Sequence, residues 1–304
     1  MQDEVAGDPI SGLKWTRKTT AKIAAELQSL DIQVCPNTVG KLLKELGFSL
    51  RVNHKKLGAG SPQDRDEQFA YIAELRKQFT AEEMPVVSVD TKKKELVGRF
   101  KNPGTAWHYE PISVNDHDFR SIADGIAIPY GIYDVKANCG AVFVGTSHDT
   151  PEFATDCLAA WWQTEGRHRY PKATKILILA DGGGSNAAVG RGWKVGLHRK
   201  LVETHGLSVT VCHYPPGASK WNPIEHRLFS EVSKNWAGRP LDSYETIMNY
   251  LQTTITSTGL KVTAYLNRTE YPTGLKISDG EFAKLNLSRH STQPKRNYTL
   301  SPKH

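Results

Sequence analysis

A chain of 304 residues and 33.8 kDa has the length of about two domains and enough residues to bury a sizeable core, which excludes a mini-protein. At 38% hydrophobic, 9% aromatic and 23% charged it is composed like a globular protein and is too apolar for disorder throughout. A net charge of +7 favours a polyanionic partner. No apolar run approaches the ~18 residues of a membrane span, and an N-terminus with Asp3, Glu4 and Asp8 is no signal peptide, so a cytoplasmic protein without a membrane partner is expected. Cys35, Cys139, Cys157 and Cys212 are widely spaced, which predicts buried free thiols and neither a zinc knuckle nor a disulfide framework.

The positive surplus is uneven. Nine Lys and Arg stand against six Asp and Glu in residues 1–60, and eight against three in 260–304, leaving the centre near neutral. Basic ends that hold phosphates around a centre with acidic chemistry would have this pattern.

In chain order, Ile23, Leu27 and Leu30 recur at helical spacing behind Thr19 and Thr20, and Val39, Leu42, Leu43 and Leu46 do so behind Pro36 and Asn37, with Gly47 as a stop. Two short helices, a helix-turn-helix, are predicted within residues 1–56. The second would turn Thr38, Lys41 and Lys44 outwards, followed by Arg51 and Lys55, a set suited to the major groove and its phosphates. A small helical bundle with a solvated basic face fits the same pattern. Residues 57–62 read as a linker and 63–79 as a polar helix, so 57–83 connects to the next domain.

From Met84 the pattern is α/β. MPVVSVD, PYGIYDV and AVFVGTS are predicted strands, a helix carries Phe153, Leu158, Trp161 and Trp162, and KILILAD is the continuous apolar run of a buried strand. A helix over 191–205, the strand SVTVCHY and a helix starting near Pro223 with Ile224, Leu228, Val232 and Trp236 on one stripe complete the series. Strands in a meander, then helix, strand, helix, strand and helix, is an RNase H-like order: an α/β core, a mixed sheet flanked by helices, over 84–240. Residues 241–304 read as a C-terminal helical region and basic tail.

Three acids stand at the ends of these elements. Asp90 closes the first strand, Asp181 closes the buried one, and Glu225 lies in the first turn of the last helix. Ligands of open α/β sheets gather at the carboxyl ends of strands. Three converging carboxylates repel one another unless cations neutralise them, and hard divalent ions, two Mg²⁺ or Mn²⁺, suit oxygen ligands. Such a site serves in-line displacement at phosphorus. GGGSNA after Asp181 matches G-x-G-x-x-A formally, but Asp181 would repel a pyrophosphate. Its glycines instead let backbone approach DNA, with Ser185 and Asn186 as donors. Lys92 and Lys93, and also Lys220, are candidate phosphate contacts, and Trp221 is a candidate to stack on an unpaired base. Cys212, His213 and His226 fit no standard zinc spacing.

The segments SVDTKKKELVGRFKNPG, VNDHDF, PYGIYDVKANCGAVFVG, DTPEFA, ILADGGGSN, CHYPPGASKWNPIEHRLFSEVSKNWAGRPL and TSTGLKV resemble DDE transposases of the ISAzo13 family of bacterial insertion sequences, over about 14–287. The resemblance implies an RNase H-like core, an N-terminal DNA-binding region, Mg²⁺ dependence, and strand cleavage and joining at transposon ends by a homo-oligomer assembled on DNA. Its acidic triad falls on Asp90, Asp181 and Glu225. Two departures stand out: the stretch before the first helix is short for such transposases, so an upstream portion is expected to be missing, and Pro223 occupies a position where relatives are expected to carry lysine. A DNA-binding remnant without catalysis, or a nuclease of the same fold that does not join strands, are the alternatives.

Overall fold

The computed structural model describes residues 5–7, 14–16, 18–48, 62–218 and 221–303. Arg51, Lys55, Lys220 and most of the predicted linker lie outside them. The chain divides into two compact units, Met1–Lys56 and Leu57–His304.

In the first unit, β1 (Val5–Gly7) and β2 (Lys14–Thr16) pair antiparallel. Helix α1 (Thr20–Gln28) is capped by the Thr19 hydroxyl, which accepts from the Lys22 amide, and α2 (Pro36–Glu45) begins on a proline, whose fixed φ suits a first helical turn. Ile23, Ala24 and Val39 are buried, with Leu27, Val34 and Leu43 around them. The stripe predicted on α2 is only half buried: Leu42 and Leu46 are exposed. Among the described residues of this unit, nothing covers that side of α2.

The second unit begins with α3 (Pro62–Ala81) and continues with β3 (Val86–Thr91), β4 (Glu95–Val97), β5 (Gly125–Asp134), β6 (Cys139–Gly145), α4 (Pro151–Trp161), α5 (Arg167–Arg169), β7 (Lys175–Ala180), α6 (Arg191–Leu197) and β8 (Ser208–His213). A wide π-turn at Glu225–Phe229 leads into α7 (Ser230–Asn235), followed by α8 (Tyr244–Gln252), β9 (Lys261–Asn267), α9 (Asp279–Ala283), β10 (Leu287–Arg289) and β11 (Asn297–Leu300). One large sheet runs β10-β11-β8-β7-β3-β5-β6-β9, with β4 also on β5. Within it β6, β5 and β3 are antiparallel neighbours, while β7 and β8 run parallel to β3. This is the RNase H-like core.

Alternation along the strands explains the layers. Val87, Val89, Ile176 and Ile178 face a core shared with Phe153, Leu158, Trp161, Trp193 and Leu197 of α4 and α6. Leu177 and Leu179 face the other way, onto Ile72 and Phe79 of α3. Because β7 is covered on both faces, its run has to be continuously apolar. Beyond α3 on that second face, Ile224, Leu228, Phe229, Val232 and Trp236 pack on Tyr133, Val142 and Val144.

Residues 241–304 differ from the expected helical region and tail. They supply β9, which extends the sheet beside β6, and β10 and β11, which extend it beside β8. β10 and β11 are only three and four residues long, and β9 alternates polar and apolar residues at the sheet edge, so none carries the continuous apolar run that marks a buried central strand. Cys157 and Cys212 are buried as expected, but Cys35 is exposed and Cys139 is half-buried at the start of its strand. No helix among the described residues is long and apolar enough to cross a membrane.

The helix that carries Glu225 lies close on the sheet because two strand positions are glycine. A Cβ on Gly131 would stand 2.6 Å from Phe229 and 2.8 Å from Ile224, and one on Gly140 would stand 2.5 Å from Leu228. Gly131→Ala is expected to lower stability by ~1–3 kcal/mol through this overpacking and to displace the Glu225 turn. Thermal unfolding measures it, and an alanine variant with an unchanged Tm would contradict the close approach.

Candidate active site

The parallel register of β3 and β7 pairs Ser88 with Leu179 and Val89 with Ala180. One step further along both strands stand Asp90 and Asp181, neighbours at the carboxyl end of the sheet. Asp90 has the parity of Ser88, so it projects on the face that carries the Glu225 turn.

That turn is fixed from below. Ser88 and the fully buried Asn222 are hydrogen-bonded, the Ile224 amide donates to Ser88 Oγ at 3.0 Å, and Asn222 Nδ2 donates to the Val89 carbonyl at 3.3 Å. The first turn of the helix is thereby tied to the two residues before Asp90. The Glu225 carboxyl lies near enough to Asp90 for the two acids to act on each other electrostatically. The wide turn beginning at Glu225 is of the kind found inside helices at functional sites.

A fourth carboxylate joins the three predicted. Asp149 sits just ahead of α4, accepts from Thr91 Oγ1 at 3.2 Å and acts electrostatically on both Asp90 and Asp181. Its sequence signal was slight, an acid before the Thr150-Pro151 helix start, and nothing local marked it as facing β3. Asp90, Asp149 and Asp181 line one cleft of about 260 Å³ with Lys93 and the loop 183–186.

Contrast with Asp134 shows what the cluster lacks. Asp134, at the other end of the sheet, is fully buried, yet it receives Arg169 at 2.9 Å, the Tyr170 hydroxyl at 2.9 Å and two backbone amides. Asp90 is nearly as buried, but among the described residues it has no ion pair, accepts from the Thr91 amide at 2.8 Å, and has Asp181, Glu225 and Asp149 around it. Burial first, then Asp181, pushes its carboxyl up to about 8. Burial followed by Asp149 raises Asp181, and burial followed by Asp181 raises Glu225. Among the described residues no three side chains form a ready-made metal cage. The donor set, clustered hard oxygens whose burial and mutual repulsion raise all three carboxyls, fits a divalent cation.

The other predicted residues are placed as follows. Thr38, Lys41 and Lys44 are exposed on α2. Lys93 is exposed at the cleft. Lys92 is turned inward instead, its ammonium 3.2 Å from Glu95 and 4.7 Å from the centre of the Trp236 ring, where it also favours the charge of Glu225. Ser185 and Asn186 are buried and support the loop: Ser185 lies 3.4 Å from Thr91 Oγ1, and Asn186 Oδ1 accepts from the buried Tyr130 hydroxyl at 3.0 Å. The tight fold-back of the loop after Asp181 turns them into the cleft floor, away from the outward position expected of phosphate donors. Trp221 is half exposed but packs against Phe69, with the Arg65 guanidinium 5.0 Å from its ring centre. The ring of His213 stands between the carbonyls of Arg296 and Asn186, at 2.9 and 2.8 Å, and burial holds it down to about 4.

The raised carboxyls have a direct consequence. Asp90 keeps its proton in the folded chain up to about 8 and loses it near 3.8 when unfolded. The folded state therefore binds more protons between these values, and metal-free stability falls as pH rises through that window. In thermal melts with chelator the Tm is expected to decline across it, and Asp90→Asn to flatten the decline. Mg²⁺ should raise the Tm more at the upper end of the window than at the lower. Parallel curves for the two proteins would contradict the placement of Asp90.

No curated protein matches this chain. Among solved structures, it is similar to the Mos1 transposase paired-end complex with left transposon end, at 15% identity over 82% of this chain and 73% of that one with a TM-score of 0.46. It is likewise similar to the Mos1 strand transfer complex, at 16% identity over 82% and 72% with a TM-score of 0.45. A family model described as the Rhodopirellula transposase DDE domain matches residues 1–302. With an RNase H-like sheet whose carboxyl edge gathers acids from two central strands and the following helix, the chain belongs to this family of DDE transposases, polynucleotidyl transferases that cut and join DNA.

Proposed function

We propose that this transposase cleaves DNA at insertion-sequence ends and transfers the cut strand at the carboxylate cleft, with Asp90, Asp181 and Glu225 holding two Mg²⁺ or Mn²⁺ ions. The observation that carries this reading is the buried, uncompensated Asp90 beside Asp181 and Glu225. Two ions held there would activate a water or a 3′-hydroxyl for in-line attack and neutralise the leaving oxygen. The protein's own part is positional. The β3–β7 register sets the spacing of Asp90 and Asp181, the Ser88–Asn222 bond sets the reach of Glu225, and Thr91 orients Asp149, whose charge adds to the attraction for cations. Lys93 at the rim is suited to a phosphate next to the one that reacts.

The first unit serves as a DNA-binding module in this reading, with Thr38, Lys41 and Lys44 of α2 towards the groove and Arg51 and Lys55 as further phosphate contacts. Lys220 and Trp221 precede the Glu225 turn and would meet DNA near the cleft. The reaction requires two element ends to be brought together, which supports a homo-oligomer assembled on DNA. The strand-joining reading is favoured over a bare nuclease by membership of the transposase family.

Asp90→Ala, Asp181→Ala and Glu225→Ala are each expected to reduce Mg²⁺-dependent nicking and strand transfer by at least a hundredfold while leaving DNA binding intact. Asp149→Ala is expected to raise the Mg²⁺ concentration needed without abolishing turnover. A gel assay with supercoiled plasmid and a pre-cut end measures both steps, and retained nicking in any of the first three variants would refute the assignment.

A further inference from the structure

On the far side of Asp181 from Asp90, a second hollow of about 710 Å³ opens between the loop after β7, the loop after β8 and the turn that joins β10 to β11. It shares Asp181 and Gly183 with the carboxylate cleft, so the two form one groove across the carboxyl end of the sheet. Its electrostatics are reversed. Asp181 is the one acid among the described residues that line it, and the opposite wall carries Lys295 and Arg296. Neither cation has an acidic partner among the described residues, whereas nearby bases are engaged: Arg191 with Asp279, Arg199 with Glu281, and Lys200 with Glu152 and Asp156. Val189 is 76% exposed at the same hollow, next to Pro215 and Pro216. A pair of cations without acidic partners beside an exposed apolar side chain offers both a phosphate contact and an apolar contact to one ligand.

The basic wall is held rigidly from beneath. Asn297 is fully buried; its Nδ2 donates to the Thr292 carbonyl and to Gln68 Oε1, both at 2.7 Å, and Gln68 Nε2 donates back to Asn297 Oδ1 at 2.7 Å and to the His213 carbonyl at 2.9 Å. This buried amide pair ties α3, β8 and β11 together below the turn. Gln293 adopts φ 46° without being glycine, and its carbonyl accepts the amides of Arg296 and Asn297. Such a conformation persists where its surroundings over-determine it. Arg296 Nη1 donates to the Tyr214 carbonyl at 3.2 Å, which leans the guanidinium towards Gly182. His213 stands between the two walls, its ring nitrogens near the Arg296 carbonyl and the Asn186 carbonyl of the loop after Asp181, and the neutral ring donates to one of them.

We propose that this hollow is a strand-binding subsite: a single DNA strand leaving the carboxylate cleft passes through it, its phosphates on Lys295 and Arg296 and a sugar or base edge on Val189. The proposal rests on the reading of the carboxylate cleft as the cutting site, because continuity with that cleft is what makes the occupant a polynucleotide. A cation held by Asp181 would attract the reacting phosphate at one end of the groove, and Lys295 and Arg296 of the C-terminal turn would attract the next ones along the strand. The C-terminal basic surplus thus acts through two residues on a buried support, at the active-site rim.

The test uses the full chain, without divalent metal, and a fluorescein-labelled single-stranded oligonucleotide of mixed sequence. Fluorescence anisotropy across a salt series compares the wild type with Lys295→Gln/Arg296→Gln, and a thermal melt checks folding. Two lost phosphate contacts should make the log–log salt slope shallower by ~1.4 and weaken binding about fivefold or more at low salt. Lys295→Glu, at an exposed position, gives the same direction if the double variant proves unstable. Val189→Asp should weaken single-strand binding as well. An unchanged slope and affinity in folded variants would overturn the proposal, and so would inorganic phosphate competing at the turn while strand binding stays unaffected. The assay reads binding alone, with no cleavage step. Loss of the subsite and loss of the catalytic assignment are thereby separate outcomes.

Discussion

The burial of Asp90 among other carboxylates, with no ion pair to it among the described residues, is the constraint around which the second unit is organised. An acid in that position destabilises the fold unless it keeps a proton or meets a cation, so every element nearby has to hold it there against repulsion. The parallel pairing of β3 with β7 does so from one side, since Val89 beside Ala180 leaves Asp90 and Asp181 adjacent. The Ser88–Asn222 hydrogen bond does so from the other, bringing the Glu225 turn onto the same strand. Asp134 is the internal control: equally excluded from water, it is matched by Arg169 and Tyr170 and so calls for no further ligand.

Close packing is what allows this arrangement. Gly131 pairs with Asp90 across the β3–β5 ladder, and its missing side chain leaves the space that Ile224 and Phe229 fill. Where a helix can approach a sheet so closely, a side chain as short as Glu225 reaches the strand end. On the other flank, Tyr130, Asn186, Ser185 and Thr91 form a polar floor that holds the loop after Asp181. His213 links that floor to the C-terminal turn. The site is therefore supported by residues spread from Gln68 to Asn297, and the edge strands β10 and β11 belong to its framework.

Much of the core was legible from sequence because its signals are local. A continuous apolar run such as KILILA can only be a strand covered on both faces, and the stripe of Ile224, Leu228, Val232 and Trp236 specifies a helix and its buried side. Acids at the ends of such elements follow by position, which is why Asp90, Asp181 and Glu225 were identifiable. Less legible were residues whose role depends on what lies opposite. Ser185 and Asn186 read as exposed donors in a glycine-rich loop, yet the loop folds inward and buries them. Lys92 belongs to a charge run, but Glu95 and Trp236 draw it in. The C-terminal strands, short and half exposed, carry no periodicity strong enough to separate them from a tail.

The sequence by itself determined the class of fold, the basic ends, the three acids and the family they resemble, because periodicity, charge and motif spacing are properties of the chain read in order. Only the tertiary structure decided that Asp149 joins the acids, that Gly131 makes room for the helix, and that Lys295 and Arg296 stand at the rim beside Asp181. Each of these is a relation between residues distant in the chain, set by strand register and by buried hydrogen bonds that no local pattern encodes. The +7 first read as a general attraction for a polyanion resolves into particular cations, some neutralised by neighbouring acids and a few left facing the groove.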